Sequence, residues 1–223
     1  MCGRLILTLY SEDVREILPD VEVPEPWTPR YNIAPSQAIA VVPNREPKRV
    51  EFFRWGLIPA WAKDASIGDR MINARAESVA SKPSFRGPLK DRRCLVLADG
   101  FYEWQASAGR RTKTPVCVRL KSGGLFALAG LWDTWHTPEG ADLSSCTIIT
   151  TTANEMMAPI HDRMPVILNP AAYAEWLSVE PQAPEQLIRL LAPYPSEEMT
   201  AYPVSTLVNS PRNDVAECVV PVA

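Results

Sequence analysis

The second residue of the chain, Cys2, is a candidate reactive N-terminus. Because small residues at this position generally permit removal of the initiator methionine, we expect Met1 to be cleaved. Cys2 would then carry an α-amine with a reference pKa of about 7.7–8.0 and a thiol with a reference pKa of about 8.5. The pair suits aldehyde capture, in which the amine forms a Schiff base and sulfur closes a five-membered thiazolidine. Amine-assisted thiol attack on an amide, or no role at all, are the alternatives.

Two other ionisable side chains lie in unusual surroundings. Glu103 is in Gly-Phe-Tyr-Glu-Trp, directly after the strand-like segment 94–99, where aromatic neighbours would desolvate its carboxylate and raise its pKa. His161 follows a short helix in a crowded polar turn, and an imidazole there suits proton transfer near neutral pH. A glutamate on the wet face of a strand and a histidine paired with Asp162 are the structural alternatives.

Several segments carry side chains suited to a nucleic acid. Asn73 and Arg75 share a face if their segment is extended, so the amide could position a sugar oxygen and the guanidinium a phosphate. Trp61 ends an aromatic and apolar loop and could stack on a base or wedge between bases, although core packing also explains it. Basic residues at 86–93 and 110–113 could extend a phosphate track or lie in solvated loops.

Composition indicates a soluble globular protein. The chain has 223 residues, 46% hydrophobic and 22% charged, with a formal net charge of −3. No apolar run reaches the roughly 20 residues that span a bilayer, and the N-terminus is too polar for a secretory signal, so we expect a cytoplasmic protein without membrane contact. Five cysteines without a C-x-x-C pair, and two histidines, favour free thiols. We therefore expect no metal and no cofactor.

Charge is uneven along the chain. Residues 1–113 carry 18 basic and 14 acidic side chains, whereas residues 114–223 carry 5 and 12. Such asymmetry can mark a face for a polyanion, and it also occurs on ordinary solvated surfaces.

The elements that must position these residues follow from apolar patterns broken by proline and glycine. A short helix is predicted from Ser11 to before Pro19, followed by an extended connection over 19–36. Strands are predicted at Ala38–Val42, Val50–Trp55, Cys94–Ala98, Val116–Leu120, Leu125–Leu131, Thr147–Thr151 and Pro165–Leu168. Helices are predicted at Ala171–Leu177 and Glu185–Leu191. With 22 prolines and no repeats, the chain is predicted to be one α+β domain over residues 1–223, without a doubly wound parallel sheet.

Six short blocks occur in order between residues 1 and 165. They are Met-Cys-Gly-Arg at 1–4, Arg-Tyr-Asn-Ile-Ala-Pro at 30–35, Trp-Gly-Leu-Ile-Pro at 55–59, Ile-Asn-Ala-Arg at 72–75, Asp-Gly-Phe-Tyr-Glu-Trp at 99–104 and His-Asp-Arg-Met-Pro at 161–165. Their ordered set resembles the SOS response-associated peptidase (SRAP) family of abasic-site-processing proteins. The resemblance implies a single compact SRAP-type domain with a mixed, largely antiparallel sheet core and peripheral helices.

The resemblance also implies covalent capture of abasic sites in single-stranded DNA, which protects the site during the DNA damage response. Cys2 matches the nucleophile, Asn73 the abasic-site sensor, and Glu103 and His161 the residues that stabilise and process the sugar. The matching DNA-contact positions are Arg4, Asn32, Trp61, Arg75 and Arg163. Such a protein would act in the cytoplasm, on the nucleoid when bound to DNA.

Other readings stay open. Ala62 follows Trp61 where some relatives have a second tryptophan, so the strength of stacking is undetermined. An N-terminal-cysteine peptidase or autoprotease, as the family's name suggests, would need an oxyanion hole. A free amine could also support strand cleavage as an abasic-site lyase. A noncatalytic single-strand-binding module would keep the arginines without needing Cys2, Glu103 and His161 together.

Retention of Met1 should prevent Cys2 from forming the thiazolidine, because the α-amine of Cys2 is then part of an amide. An amide nitrogen is delocalised and cannot form the Schiff base. Intact-mass measurement should find Met1 absent from active protein, and an uncleavable N-terminal extension should permit DNA binding without a stable adduct. Efficient thiazolidine formation by the extended variant would contradict the mechanism.

Overall fold

The computed structural model describes residues 2–46, 48–106 and 112–222. Its strands are β1 (Leu5–Leu7), β2 (Arg30–Ile33), β3 (Ala38–Pro43), β4 (Glu51–Trp55), β5 (Asn73–Arg75), β6 (Arg93–Ala98), β7 (Gly100–Gln105), β8 (Thr114–Leu120), β9 (Phe126–His136), β10 (Asp142–Thr152), β11 (Arg163–Pro165) and β12 (Met199–Pro203). Its α-helices are α1 (Ser11–Ile17), α2 (Pro83–Asp91), α3 (Tyr173–Trp176) and α4 (Pro184–Ile188). Within these ranges no helix is long and apolar enough to cross a membrane.

The strands form two sheets. One sheet is antiparallel, with the order β12-β8-β7-β1-β2. The other has the order β11-β10-β4-β3-β6-β9, and β9 pairs back onto β10, so five of its strands close into a small barrel. The short strand β5 pairs in parallel with β10, as β4 does. The predicted α+β class with a mixed, largely antiparallel sheet core is therefore confirmed.

The barrel strands β3, β6 and β9 bury their apolar runs on both faces. Every residue of β6 is buried, because the strand is part of the barrel and α2 and α3 also pack against it. The indole of Trp176 is fully buried and donates to the main-chain oxygen of Cys94. Burial on both faces explains why these strands are continuously apolar rather than alternating in polarity.

Most predicted elements are present, with changes at their ends. The predicted strand Pro165–Leu168 is wrong in its bounds: β11 ends at Pro165, and the next residues change partner from β10 to β9 through a bridge between Leu128 and Ile167. The supposed connection over 19–36 contains β2. The predictions on Met1 and on the basic residues at 110 and 111 lie outside the described residues.

The position of Arg93 contradicts the prediction that this residue belongs to a phosphate track over residues 86–93. Its side chain is fully buried at the start of β6. The guanidinium donates to four main-chain oxygens, those of Leu89, Lys90, Trp176 and Ser178. Arg93 therefore joins α2 to the segment after α3 and does not face a ligand.

Replacing Arg93 with methionine should destabilise the protein by about 3 kcal/mol or more. The change keeps the apolar volume but leaves buried carbonyl oxygens without donors, at a cost of roughly 1–3 kcal/mol each before relaxation. Urea denaturation should show a lower midpoint with an unchanged slope. Arg86→Met, on the exposed side of α2, should leave the midpoint nearly unchanged, and an equal effect of the two changes would count against this role for Arg93.

Candidate active site

The N-terminal segment is fixed by strand β1, which lies between β2 and β7. Leu5 is opposite Phe101, and the main-chain N–H of Tyr102 donates to the oxygen of Arg4 at 3.0 Å. Because β1 and β7 run antiparallel, the residues before Arg4 lie alongside β7 in the direction of Glu103. Cys2 is fully buried there.

Asn73 holds Cys2 from the other sheet. Its Nδ2 donates to the main-chain oxygen of Cys2 at 2.7 Å. Asn73 begins β5 opposite Ile148, and the indole of Trp55 donates to the oxygen of Ile72 just before it. In the described part of the chain, the buried Oδ1 of Asn73 has no hydrogen-bond partner. Since buried polar atoms are normally paired, this oxygen is a natural acceptor for a ligand hydroxyl.

Glu103 and Cys2 influence each other's ionisation. Glu103 lies on β7 opposite Val116 and is only 3% exposed. Burial raises the pKa of its carboxyl above the usual range, and His161 opposes that rise. Burial also raises the pKa of the Cys2 thiol, and the carboxylate of Glu103 raises it further. Both groups therefore favour their neutral, protonated forms.

His161 is positioned by the turn that precedes β11. Its main-chain N–H donates to Met157 at 2.9 Å, and Gln105 of β7 anchors the same turn through the oxygen of Pro159. Nδ1 of His161 accepts the main-chain N–H of Arg163 at 3.0 Å and lies 2.8 Å from Oδ1 of Asp162. The amide suits a neutral imidazole and the carboxylate a protonated one, so both protonation states have a partner.

Arg4 is partly buried and contacts the fully buried Asn32. Nη1 of Arg4 donates to Oδ1 of Asn32 and to the oxygen of Val208, and its guanidinium lies 5.4 Å from the centre of the Trp104 ring. Asn32 is fully buried and donates to three main-chain oxygens, those of Val208, Ser210 and Asn213. Both ends of the Asn32 amide have protein partners, so in this structure Asn32 holds Arg4 and the C-terminal segment. Its contact with DNA stays a prediction.

The other predicted contact residues differ in accessibility. Arg75 is exposed at the end of β5. The Trp61 side chain is 61% exposed and lines a surface cavity of about 340 Å³ with Lys63 and Arg70. Arg163 is 12% exposed and makes a two-pronged ion pair with Glu77.

The loop that carries Trp61 is held at several main-chain positions. Asp133 accepts the N–H of Ala60 at 3.0 Å, and the indole of Trp135 donates to the oxygen of Ala62 at 2.7 Å. Leu57 donates to Met71, which is two residues before Asn73. The main chain on both sides of the exposed ring is therefore held in place and connected to the segment that carries Asn73.

Sequence reasoning missed several residues that shape the site. Asp214 accepts main-chain N–H groups of Tyr31 and Asn32, and Trp104 donates to Asn209 at 2.7 Å. Glu77 was likewise given no role. Its position two residues beyond Arg75, on the same face of an extended segment, was the available signal. Among the described residues, no cluster of three or more His, Cys, Asp or Glu could hold a metal ion.

The site and the fold define a known class of protein. The chain matches the family model described as SOS response associated peptidase (SRAP) over residues 1–211. It therefore belongs to the SRAP family.

Named relatives and a solved structure agree with this assignment. The chain is 49% identical over 228 residues to Abasic site processing protein YoqW of Bacillus subtilis (strain 168), covering 98% of this chain and 99% of that protein. It is 33% identical to Abasic site processing protein HMCES of Mus musculus, covering 99% of this chain and 76% of the relative. A crystal structure of a protein from Bacteroides thetaiotaomicron superposes with a TM-score of 0.88 at 26% identity, over 99% of this chain and all of that one.

The raised pKa of Glu103 predicts how stability depends on pH. A carboxyl with a raised folded-state pKa contributes stability that is lost as the pH rises through that value. Glutamine does not ionise, so Glu103→Gln should have a higher melting temperature than the wild type near pH 8. Below about pH 4 glutamate is protonated in the folded and unfolded states, and the variant should not be more stable than the wild type. Melting curves across this range measure the difference.

Glu77→Gln is the matched control with the opposite sign. The ion pair with Arg163 lowers the pKa of Glu77, so its stabilising contribution is present near neutral pH and lost in acid. Equal responses of the two variants to pH would contradict the assigned environments.

Proposed function

We propose that this protein captures abasic sites in single-stranded DNA by forming a thiazolidine between the deoxyribose aldehyde and mature Cys2. The observation that carries the proposal is the grouping of Cys2 with Asn73, Glu103 and His161 at the meeting of the two sheets. The names of the relatives, which are abasic site processing proteins, support the same substrate.

The covalent step uses both nucleophiles of Cys2. The α-amine attacks C1′ of the ring-opened sugar, and loss of water leaves a Schiff base. Sγ then adds to C1′, the S–H proton is released, and the imine nitrogen gains a proton, which closes the ring. The step needs no external oxidant, metal or cofactor, since all bonds are exchanged between the sugar and one residue.

Neighbouring groups supply the proton transfers. The closed sugar must open to its aldehyde, which requires a proton to leave the C1′ hydroxyl and another to reach the ring oxygen. Glu103, whose carboxyl pKa is raised by burial, is suited to exchange a proton there with His161 as its partner. Oδ1 of Asn73, buried without a partner among the described residues, is suited to accept a hydrogen bond from the opened sugar.

The raised pKa of the Cys2 thiol favours capture of an aldehyde by the amine, followed by the thiol, over hydrolysis of an amide by a thiolate. A cysteine peptidase attacks with a thiolate, which is normally stabilised by a nearby cation or a helix N-terminus. Here burial and the carboxylate of Glu103 raise the thiol pKa, so a thiolate is disfavoured at neutral pH. An uncharged amine attacks an aldehyde without that requirement, and the thiol needs to react only after the imine has formed.

Exposed cations and an aromatic ring extend the proposed DNA surface. Arg75 leaves β5 beside Asn73 and is suited to a phosphate, which positions the strand without reading its bases. Trp61, with Lys63 and Arg70 around the same cavity, offers a ring for base stacking and two cations for the backbone.

Cys2→Ala should abolish the denaturation-resistant adduct with abasic single-stranded DNA while leaving binding to intact single strands within about twofold. The substitution removes the sulfur that closes the ring but none of the phosphate contacts. Glu103→Gln and His161→Ala should slow adduct formation by roughly 10²- to 10⁴-fold if they transfer protons. Denaturing gel electrophoresis and intact mass measure the adduct.

Cys218→Ala controls for loss of a buried thiol, since Cys218 is equally buried but lies outside the proposed site. An undiminished stable adduct with Cys2→Ala would refute the proposal. A wild-type protein that instead cleaves peptides, and loses that cleavage with Cys2→Ala, would favour the peptidase alternative.

A further inference from the structure

An ion pair crosses strand β10 beside the site. Glu77 follows β5 on one side of β10, and Arg163 begins β11 on the other. The guanidinium donates through Nη1 and Nη2 to the two carboxylate oxygens of Glu77, at 2.6 and 3.0 Å. Paired donation of this kind fixes the orientation of a guanidinium better than a single contact.

The same guanidinium is tied to the strand that it crosses. Nη2 of Arg163 donates to the main-chain oxygen of Thr150 at 2.6 Å, and the N–H of Ala76 donates to that oxygen at 2.9 Å. Glu77, Arg163 and Thr150 therefore join three neighbouring strands through one group of contacts, which we call the β10 clamp.

The β10 clamp connects two residues of the proposed site. Asn73 is at the start of β5, four residues before Glu77, and His161 is two residues before Arg163. The main chain of Arg163 also donates to Nδ1 of His161 at 3.0 Å. That bond needs a lone pair on Nδ1 and so favours the neutral tautomer with its proton on Nε2, whereas Oδ1 of Asp162, 2.8 Å from the same Nδ1, favours a proton there. The position of the Arg163 amide therefore decides between the two.

We infer that Glu77 is a positioning residue, whose carboxylate holds Arg163 so that the Arg163 amide keeps His161 in its Nε2–H tautomer and at a set distance from Asn73. This inference rests on the proposed function for its catalytic consequence. In this inference Arg163 has a structural role in the site before any contact with DNA, because both of its Nη atoms already donate to protein acceptors.

The exposure of the pair agrees with this role. The side chain of Arg163 is 12% exposed and that of Glu77 is 51% exposed. The guanidinium of Arg163 is therefore largely covered, whereas the carboxylate of Glu77 that binds it faces solvent. If the pair served only as a phosphate site, Glu77 would compete with DNA for Arg163. Removing the carboxylate would then strengthen DNA binding, which separates the two roles experimentally.

Glu77→Gln provides the principal test. It should slow adduct formation with abasic single-stranded DNA by roughly 10- to 100-fold, because a misplacement of about 1 Å can cost about 10²-fold. The dissociation constant for intact single strands should stay within about twofold. Glu77→Asp, which keeps the charge, should recover part of the rate, and thermal unfolding should establish that both variants are folded.

Glu175→Gln is the matched control. Glu175 on α3 makes a 2.6 Å ion pair with Arg189, the residue after α4, away from the site. Loss of this pair should leave the adduct rate unchanged.

Heteronuclear NMR of the imidazole nitrogens supplies a readout independent of DNA. The chain has only two histidines, so a His136→Asn variant assigns the spectrum. Glu77→Gln should shift the His161 Nδ1 and Nε2 resonances toward a mixture of tautomers, and Glu175→Gln should not.

The outcomes separate the inference from the proposed function. Tighter binding of intact DNA by Glu77→Gln, with unchanged adduct rate and unchanged His161 resonances, would overturn the positioning role. If wild-type protein forms no adduct, the proposed function fails and the NMR comparison decides the inference by itself: shifted His161 resonances support it and unshifted ones reject it.

Discussion

The pairing of β1 fixes the position of Cys2, the proposed nucleophile near the N-terminus. Only three residues, Leu5–Leu7, form this strand, but it lies between β2 and β7. The bond from Asn73 to the oxygen of Cys2 adds a hold from the second sheet. The geometry of the whole site follows from this arrangement, because Glu103 lies on the strand that pairs with β1.

Burial then determines what the site can do chemically. Burial raises the pKa of both the Cys2 thiol and the Glu103 carboxyl, and the carboxylate of Glu103 raises the thiol pKa further. The proposed chemistry, which begins at an uncharged amine, is therefore better matched to the site than chemistry that begins at a thiolate.

The arginines show why charge counts alone mislead. Arg93 is fully buried among main-chain oxygens, Arg4 is bound to Asn32 and Val208, and Arg163 is bound to Glu77 and Thr150. A guanidinium has five N–H donors, so it can join several segments at once. Much of the basic excess in residues 1–113 thus stabilises the fold, and a smaller exposed group that includes Arg75 is left for a polyanion.

Long apolar runs predicted the barrel strands β3, β6 and β9, because burial on both faces leaves a strong local pattern. Strands β1 and β5 have three residues each, too few for periodicity, and they exist because longer neighbours pair with them. Ordered motifs likewise predicted Cys2, Asn73, Glu103 and His161 as site residues, although they lie on four separate segments.

Tertiary structure alone decided how those segments meet and which polar residues are covered. Asn32 is buried by a C-terminal segment 176 to 181 residues away, and Glu77 pairs with an arginine 86 residues away. No local pattern contains such partners, because side-chain burial and ion pairing depend on strand register across the sheets. The amino-acid sequence therefore determined which groups could react, and strand pairing determined their distances, their protonation and which arginines remain exposed.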